Sequence, residues 1–336
     1  MTTSKIRTVQ LGKTGPEVSR IGLGAMGMSG MYGATDDAES TATIHAALDA
    51  GANLIDTGDF YGAGHNELLI GKAIAARPRE DIVLSVKFGA LRGPGGTWGG
   101  VDTRPEALRN FLTYSLQRLG VDYVDIYRPA RLDPNVPIED TVGAIGELVA
   151  AGYVRHVGLS EVGADTIRRA AAVHPIADLQ IEYSLLSRGI EAEILPVCRE
   201  LGIGVTAYGV LSRGLLSNSV QAGNTFAASD FRAHSPRFQG ANLDRNLELV
   251  AALAEIATAK AVSVAQLAIA WVLTRGSDIV PLVGARRRER WAEAVGALDI
   301  ALTEAELATI EAAVPVDRIA GERYAAEQMD MLDSER

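Results

Sequence analysis

Residues 53–87 read NLIDTGDFYGAGHNELLIGKAIAARPREDIVLSVK, and this stretch contains one complete structural unit. The apolar run at residues 53–56 predicts a short strand, residues 67–76 predict an amphipathic helix, and residues 82–87 predict a second strand. A polar, glycine-rich loop joins the first strand to the helix. This order of elements is typical of a parallel β/α unit, in which the strands are buried on both faces.

The same unit recurs along the rest of the chain. Candidate strands occupy residues 21–25, 53–56, 82–87, 123–127, 154–160, 178–182, 204–208 and 279–283. Candidate helices occupy residues 38–50, 67–76, 105–119, 138–151, 165–174, 191–201, 264–274 and 287–296, with an extra helix at 243–259. Eight such units in 336 residues predict an α/β fold, a (β/α)8 TIM barrel that forms one domain over residues 1–336.

The remaining segments predict additions to the barrel. Residues 9–21 are polar and turn-rich, and predict an N-terminal hairpin. The glycine-rich loop 88–103 and the long loop 211–242 follow the third and seventh strands. Both loops therefore fall on the C-terminal face, where barrel active sites lie.

Composition and charge argue against several classes of protein. The net charge of −10 and the pI near 5.1 disfavour nucleic-acid or membrane-surface binding, which need positive patches. The first residues lack the apolar segment of a signal peptide, and no run is long enough to span a membrane. The single cysteine, Cys198, excludes an intrachain disulfide and suits the cytoplasm. No His or Cys grouping has metal-ligand spacing, so we expect no metal site.

Three polar residues mark the C-terminal ends of two neighbouring strands. Asp56 and Tyr61 follow the second candidate strand, and Lys87 ends the third. Together they predict a proton-donating centre, in which the ammonium lowers the pKa of the phenol and the carboxylate holds the ammonium. The alternative is a tyrosine in a loop beside an ordinary ion pair.

Two further motifs concern cofactors. Residues 22–27 read GLGAMG and match the dinucleotide fingerprint G-x-G-x-x-G, but another loop follows instead of a helix, so we reject a Rossmann unit. Arg286, Arg287, Arg288 and Arg290 follow the eighth strand, where many barrels bind phosphate. A solvated basic stripe is the alternative interpretation.

With these motifs, the chain resembles the aldo-keto reductase family nearly from end to end. The matching segments include Asp56-Thr57, Tyr61-Gly62, Ser85-Val86-Lys87, Gly158-Leu159-Ser160 and Arg213-Gly214-Leu215. The resemblance implies a barrel that binds NADPH/NADP+ without a Rossmann domain and reduces aldehydes and ketones to alcohols.

The resemblance also implies roles for individual residues. Asp56, Tyr61 and Lys87 would be catalytic, with Tyr61 as proton donor. The implied cofactor-binding residues are Ser160 and Gln180 on the nicotinamide carboxamide, Tyr208 on the ring, Leu211 and Arg213 in the pyrophosphate loop 211–216, Gly284 at the strand end before the arginines, Arg286, Arg287 and Arg290 on the 2′-phosphate, and Glu293 near the adenine.

The sequence departs from the family at the position of the fourth catalytic residue. Ala130 stands where the family usually has histidine, and alanine cannot bond a carbonyl oxygen. This predicts a slower or narrower reductase, since positioning is weakened while the proton donor remains. A water, a substrate hydroxyl or Arg128 could fill the gap. Ala294 and Gly209-Val210 also replace residues usual in the family.

Two other functions stay open at this point. A catalytically weak NADPH-binding regulatory subunit is one alternative, because the potassium-channel β-subunits resemble this family and lack the same histidine. The other is a phosphate-binding barrel isomerase or aldolase, in which Lys87 would form a Schiff base. The sequence names neither the carbonyl substrate nor the oligomeric state.

Overall fold

The computed structural model describes residues 6–217, 219–227 and 230–336. Within these ranges, eight parallel strands form a closed barrel in the order β3-β4-β5-β8-β9-β10-β11-β12, and two small antiparallel sheets lie outside it. The strands are β1 (Thr8–Gln10), β2 (Glu17–Ser19), β3 (Gly22–Gly24), β4 (Leu54–Gly58), β5 (Val83–Phe88), β6 (Ala90–Arg92), β7 (Trp98–Val101), β8 (Val124–Pro129), β9 (Val154–Ser160), β10 (Ile176–Glu182), β11 (Gly204–Tyr208) and β12 (Ile279–Gly284).

Helices connect the barrel strands and cover the sheet. Their apolar stripes face the barrel, as in the third helix, where Leu108, Leu112 and Leu119 are buried at helical spacing. The helices are α1 (Asp37–Asp49), α2 (His65–Ile74), α3 (Pro105–Leu119), α4 (Ile138–Ala150), α5 (Ala164–Val173), α6 (Ile194–Leu201), α7 (Gly240–Ala259), α8 (Val264–Thr274), α9 (Arg288–Val295), α10 (Glu304–Ala313) and α11 (Ala326–Met329).

Closure of the barrel confirms the predicted fold. Strand β12 pairs in parallel with β3 through Leu282 with Gly22 and Gly284 with Gly24. All eight barrel strands lie within two residues of their predicted bounds. The C-terminal ends of the strands therefore meet at one face, as the sequence predicted.

The N-terminal hairpin covers the opposite face. Strands β1 and β2 pair antiparallel, and the Lys13 N–H donates to the Gly202 carbonyl (2.7 Å) at the start of β11. Gly12 has a φ of +63°, and a side chain there would lie 2.6 Å from the Gly204 nitrogen. A glycine is therefore required where the hairpin packs against the N-terminal face of the barrel.

One prediction about an irregular segment is wrong, and one helix was missed. The loop 88–103 contains the two-stranded sheet β6–β7, because its glycines hide the alternation that would reveal strands. Helix α10 was not predicted, although Thr303 and Glu306 form a capping box at its start. The loop 211–242 contains three short 3-10 helices, and part of it lies outside the described residues.

No single helix in the described ranges is long and apolar enough to cross a membrane. In the same ranges, helices α7 and α8 reach the length and hydropathy of a membrane span only when they are taken together, and this pair is bent by 88°.

Candidate active site

A buried ion pair lies at the C-terminal ends of β4 and β5. These strands are neighbours, with Asp56 opposite Ser85 and Gly58 opposite Lys87. Lys87 pairs with Asp56, and both side chains are buried. Ser85 and the Gln180 amide each donate to Asp56 (2.7 Å), and the Gln180 carbonyl oxygen accepts from Lys87 (2.9 Å). The ammonium is therefore fixed by three strands.

Tyr61 lies beside this pair. The Lys87 Nζ atom is 5.3 Å from the centroid of the Tyr61 ring, and Phe60 contacts the ring edge-on at 4.7 Å between centroids. The structure thus brings together the three residues that the sequence predicted to be catalytic.

The pKa of Tyr61 differs from the expectation. Burial, together with the charge of Asp56, raises the pKa of Tyr61 well above its ordinary value of 10.0. The prediction of a lowered pKa for Tyr61 is therefore wrong for this structure, because burial and the charge of Asp56 outweigh the nearby positive charge of Arg131. Burial also lowers the pKa of Lys87, against the pull of Asp56. Tyr61 is consequently protonated at neutral pH, which is the state that a proton donor needs.

Arg128 lies inside the barrel, below the Asp56–Lys87 pair. Its guanidinium is fully buried, pairs with Asp178 (3.0 Å) and donates to Ser85 (2.9 Å). Thr206 donates to the same Asp178 carboxylate (2.6 Å). The hypothesis that Arg128 fills the gap left by Ala130 is therefore wrong, since both of its terminal nitrogens, Nη1 and Nη2, bond to residues in the barrel interior.

The residue after Ala130 lies at the gap instead. Ala130 is buried, and its N–H donates to the Phe88 carbonyl (2.8 Å), which holds the β8 end against β5. Arg131 folds back, with Nη1 donating to the Ala130 carbonyl (2.7 Å) and Nη2 to the Tyr324 hydroxyl (3.3 Å). Sequence reasoning missed both Arg131 and Tyr324, since no local pattern predicts that the C-terminal tail reaches the barrel mouth.

The predicted nicotinamide residues lie on adjacent strand ends. Ser160 and Gln180 are register partners on β9 and β10, and both are buried. The Gln180 amide is bonded to Asp56 and Lys87 here, rather than left open for a ligand. Tyr208 is the last residue of β11. Its hydroxyl donates to Glu161 (2.7 Å) and is hydrogen-bonded to the Tyr324 hydroxyl (2.7 Å).

The loop predicted to bind pyrophosphate has an unusual backbone. Ser212, Arg213 and Gly214 have φ values of 46°, 53° and 104°. Consecutive left-handed residues are strained in non-glycine positions and occur at ligand-binding loops. Leu211 precedes them and is half-buried, and Arg213 pairs with Glu182 (3.0 Å). Such a turn can present backbone N–H groups to an anion.

The arginines after β12 divide into free and paired groups. Burial and the nearby Arg232 and Arg287 lower the pKa of Arg286, because like charges oppose one another. In the described part of the chain, Arg286 forms no ion pair, and it donates to the backbone carbonyls of Tyr32 and Ala34 (both 3.1 Å). This cluster, which follows Gly284, fits a phosphate monoester, whose charge would relieve the repulsion.

The outer arginines of this run have partners. Arg288 pairs with Glu39 (3.0 Å), and Arg290 pairs with Glu293 (2.8 Å). Sequence reasoning missed Arg232, which comes from the loop after β11 and pairs with Asp230 (2.7 Å). Arg232 nevertheless lies near Arg286, because its charge, like that of Arg287, lowers the pKa of Arg286.

The C-terminal tail is held over the site by buried charges. Arg323 pairs with Glu161 (2.9 Å) and Glu182 (3.2 Å), which follow β9 and end β10. Burial would raise the pKa of Glu161, but Arg323 holds it down at about 2. The adjacent Tyr324 ring lies 4.4 Å from the Arg213 guanidinium carbon. The tail therefore contacts several of the residues predicted to bind cofactor.

In the part of the chain that the structure describes, no group of three or more His, Cys, Asp or Glu side chains is placed to hold a metal ion.

Comparisons with known proteins identify the family and agree with the barrel fold. Residues 20–315 match the model of the Aldo/keto reductase family. The chain is 43% identical over 325 residues to the probable aldo-keto reductase 1 of Glycine max, covering 96% of this chain and 93% of that protein. Its structure is similar to that of the glycerol dehydrogenase AKR11B4 from Gluconobacter oxydans, with 31% identity, a TM-score of 0.81 and coverage of 93% and 95% of the two chains. For the aldo-keto reductase AKR11C1 from Bacillus halodurans, in its holo form, the values are 26%, 0.77, 93% and 97%.

Proposed function

The chain belongs to the aldo/keto reductase family, and we propose that it is an NADPH-dependent reductase that converts an aldehyde or a ketone into an alcohol, with Tyr61 as proton donor. The observation that carries the proposal is the position of the Tyr61 ring beside the buried Lys87–Asp56 pair. This group lies at the face of the barrel where active sites occur.

The residues next to Tyr61 support its role as proton donor. NADPH, when bound, would supply the hydride for the carbonyl carbon. Tyr61 gives its hydroxyl proton to the carbonyl oxygen, and Lys87 beside the ring stabilises the phenolate that remains. Asp56 holds Lys87 in place. General acid catalysis of this kind contributes roughly 10²–10⁴ to a rate.

The cofactor would be held by residues of β9 to β12 and their loops. Arg286, Arg287 and Arg232 would hold the 2′-phosphate, since their mutual repulsion favours an anion. The backbone of residues 212–214 would face the pyrophosphate, and Ser160 and Tyr208 the nicotinamide. Arg290 and Glu293 pair with each other, so their contribution to binding should be smaller.

Ala130 is the reason to expect a lower rate of carbonyl reduction. Its methyl group offers no hydrogen bond to the carbonyl oxygen, so the enzyme lacks one positioning donor. We expect a slower or more selective reductase, because the proton donor and its supporting charges remain.

The regulatory-subunit alternative is less favoured. The three similar proteins named above are, by their names, a glycerol dehydrogenase and two aldo-keto reductases. The predicted catalytic residues Asp56, Tyr61 and Lys87 are also present together with a cluster of arginines that suits a phosphate group.

A single-turnover experiment tests the proposed function. The protein is loaded with NADPH and mixed rapidly with reactive aldehydes, quinones and ketones, while the absorbance of the reduced nicotinamide is followed. Loss of that absorbance with formation of one alcohol per cofactor supports the reductase. Tight NADPH binding without transfer to any carbonyl would favour the regulatory subunit.

A further inference from the structure

Within the described residues, one arginine at the mouth of the site forms no ion pair. Arg131 follows Ala130 directly, and its two side-chain hydrogen bonds go to a carbonyl oxygen and to the Tyr324 hydroxyl. A guanidinium has more N–H donors than these two bonds use, and it is always charged. Its side chain is half-buried rather than immersed in solvent.

Other cations of the site differ from Arg131 in this respect. Lys87 pairs with Asp56, Arg213 with Glu182 at 3.0 Å, and Arg323 with Glu161 at 2.9 Å. Among residues 6–217, 219–227 and 230–336, Arg131 forms no ion pair, and Glu161 acts on it only from a longer range. Burial opposes the charge of Arg131, but Tyr324, Tyr208 and Glu161 outweigh it and raise the pKa of this arginine. The guanidinium is therefore charged, and the N–H donors that its two hydrogen bonds leave over can bind a ligand or water.

Arg131 is also close enough to the proton donor to affect it. Its charge lowers the pKa of Tyr61, and the Tyr324 hydroxyl that Arg131 contacts acts on Tyr61 as well. A carbonyl group that reaches Tyr61 therefore brings its nearby substituents into the field of Arg131. An anionic substituent would gain there, while a neutral one would not.

Resting on the proposed function, we propose that Arg131 makes the enzyme selective for carbonyl substrates that carry an anionic oxygen, a carboxylate above all, within a few bonds of the reacting carbonyl. The arginine contacts the substrate anion directly, and Tyr324 holds the guanidinium in place. The competing explanation is that Arg131 only anchors the tail by packing on the Tyr324 ring, 5.7 Å away.

Matched substrates separate these explanations. The ortho, meta and para carboxybenzaldehydes are compared with their methyl esters in the NADPH-loaded wild-type enzyme and in Arg131→Met, Arg131→Lys and Arg104→Met. Arg104 is an exposed arginine at the start of α3 that pairs with Asp102 (2.7 Å), so its variant controls for loss of one positive charge. Binding of NADPH is followed by fluorescence in every variant.

For at least one isomer, we expect kcat/KM for the carboxylate to exceed that of the ester by roughly 10- to 100-fold, chiefly through KM. Arg131→Met should abolish this ratio while ester reduction and NADPH binding persist. Arg131→Lys should retain part of the ratio, and Arg104→Met all of it. Benzoate should compete with the aldehyde in the wild type, and methyl benzoate should not, a result that does not depend on the folding of a variant.

Other results would overturn the inference. If the wild-type enzyme reduces the esters as well as the acids, Arg131 does not select anionic substrates. The same conclusion follows if the preference for the acids persists in Arg131→Met. An equal loss for acid and ester in Arg131→Met assigns the residue to tail anchoring. If the wild type binds NADPH and reduces neither acid nor ester, the proposed function itself fails, and the selectivity with it.

Discussion

The ammonium of Lys87 lies 5.3 Å from the centroid of the Tyr61 ring, while it is paired with the buried carboxylate of Asp56. Burial and the charge of Asp56 keep the pKa of the Tyr61 phenol high, so it is protonated at neutral pH. The Lys87 ammonium lies beside the phenolate that proton donation would create. This relationship explains how the site can reduce a carbonyl although Ala130 offers no hydrogen bond. The predictions below test the parts of the site separately.

Restoring the missing donor should raise the rate. Ala130→His places an imidazole where the main chain is fixed by the bond to Phe88. We expect kcat for neutral aldehydes to rise by up to about 10²- to 10³-fold, the scale of one oxyanion donor. Ala130→Leu is the control, because it fills space without a donor. Equal rates for the two folded variants would show that a donor at this position is not limiting.

The unpaired arginine near β12 should decide between NADPH and NADH. Arg286→Ala should weaken NADPH binding by roughly 10- to 100-fold and leave NADH binding unchanged, because only NADPH carries the 2′-phosphate. Arg288→Ala is the matched control, since Arg288 is occupied by Glu39. Fluorescence titration with both cofactors measures the effect. Equal losses for the two cofactors in Arg286→Ala would remove Arg286 from phosphate recognition.

The buried tail arginine should be important for stability. Arg323→Ala leaves Glu161 and Glu182 buried without this partner, so we expect a loss of about 3–5 kcal/mol in the free energy of unfolding. Arg168→Ala, which breaks the exposed pair with Glu200, should cost only about 0–1 kcal/mol. Urea unfolding of both variants measures the difference. Similar costs would mean that the tail is not held by these charges.

A carboxyl group next to the site should make stability depend on pH. Burial and the nearby Glu67 raise the pKa of Asp59 from 3.8 to about 7. The folded protein therefore binds this proton more tightly than the unfolded chain, and the associated stability is lost as pH rises from about 4 through 7. Asp59→Asn removes that loss, so we expect it to be more stable than the wild type at pH 8, by on the order of 1–3 kcal/mol.

Unfolding by urea at pH 5.5 and at pH 8 measures this dependence. The exposed Asp122→Asn variant is the control and should follow the wild type at both values. An Asp59→Asn protein with the same pH dependence as the wild type would show that this carboxyl group does not titrate in the range.

Local signals in the sequence predicted most of the barrel. Proline at the first turn of α3 and glycine after Leu119 gave the bounds of that helix, which the structure reproduces. The Asp56, Tyr61 and Lys87 grouping followed from topology, because the ends of parallel strands meet at one face.

Contacts between distant parts of the chain were not predictable in this way. Arg131 and Tyr324 are 193 residues apart, and Arg323 and Glu161 are 162 apart, so no periodicity or spacing connects them. The interior position of Arg128 was also missed, because the motif shows the residue type but not which partners its side chain finds. The raised pKa of Tyr61 depends on burial, which the sequence does not reveal.

The most direct test of the account is the rate of carbonyl reduction by Tyr61→Phe in a single turnover. This variant keeps the ring beside Lys87 and removes only the hydroxyl. We predict that NADPH binding is retained and that the rate falls by roughly 10²–10⁴, the contribution of general acid catalysis. An unchanged rate in a folded variant that binds NADPH would contradict the assignment of Tyr61 as the proton donor.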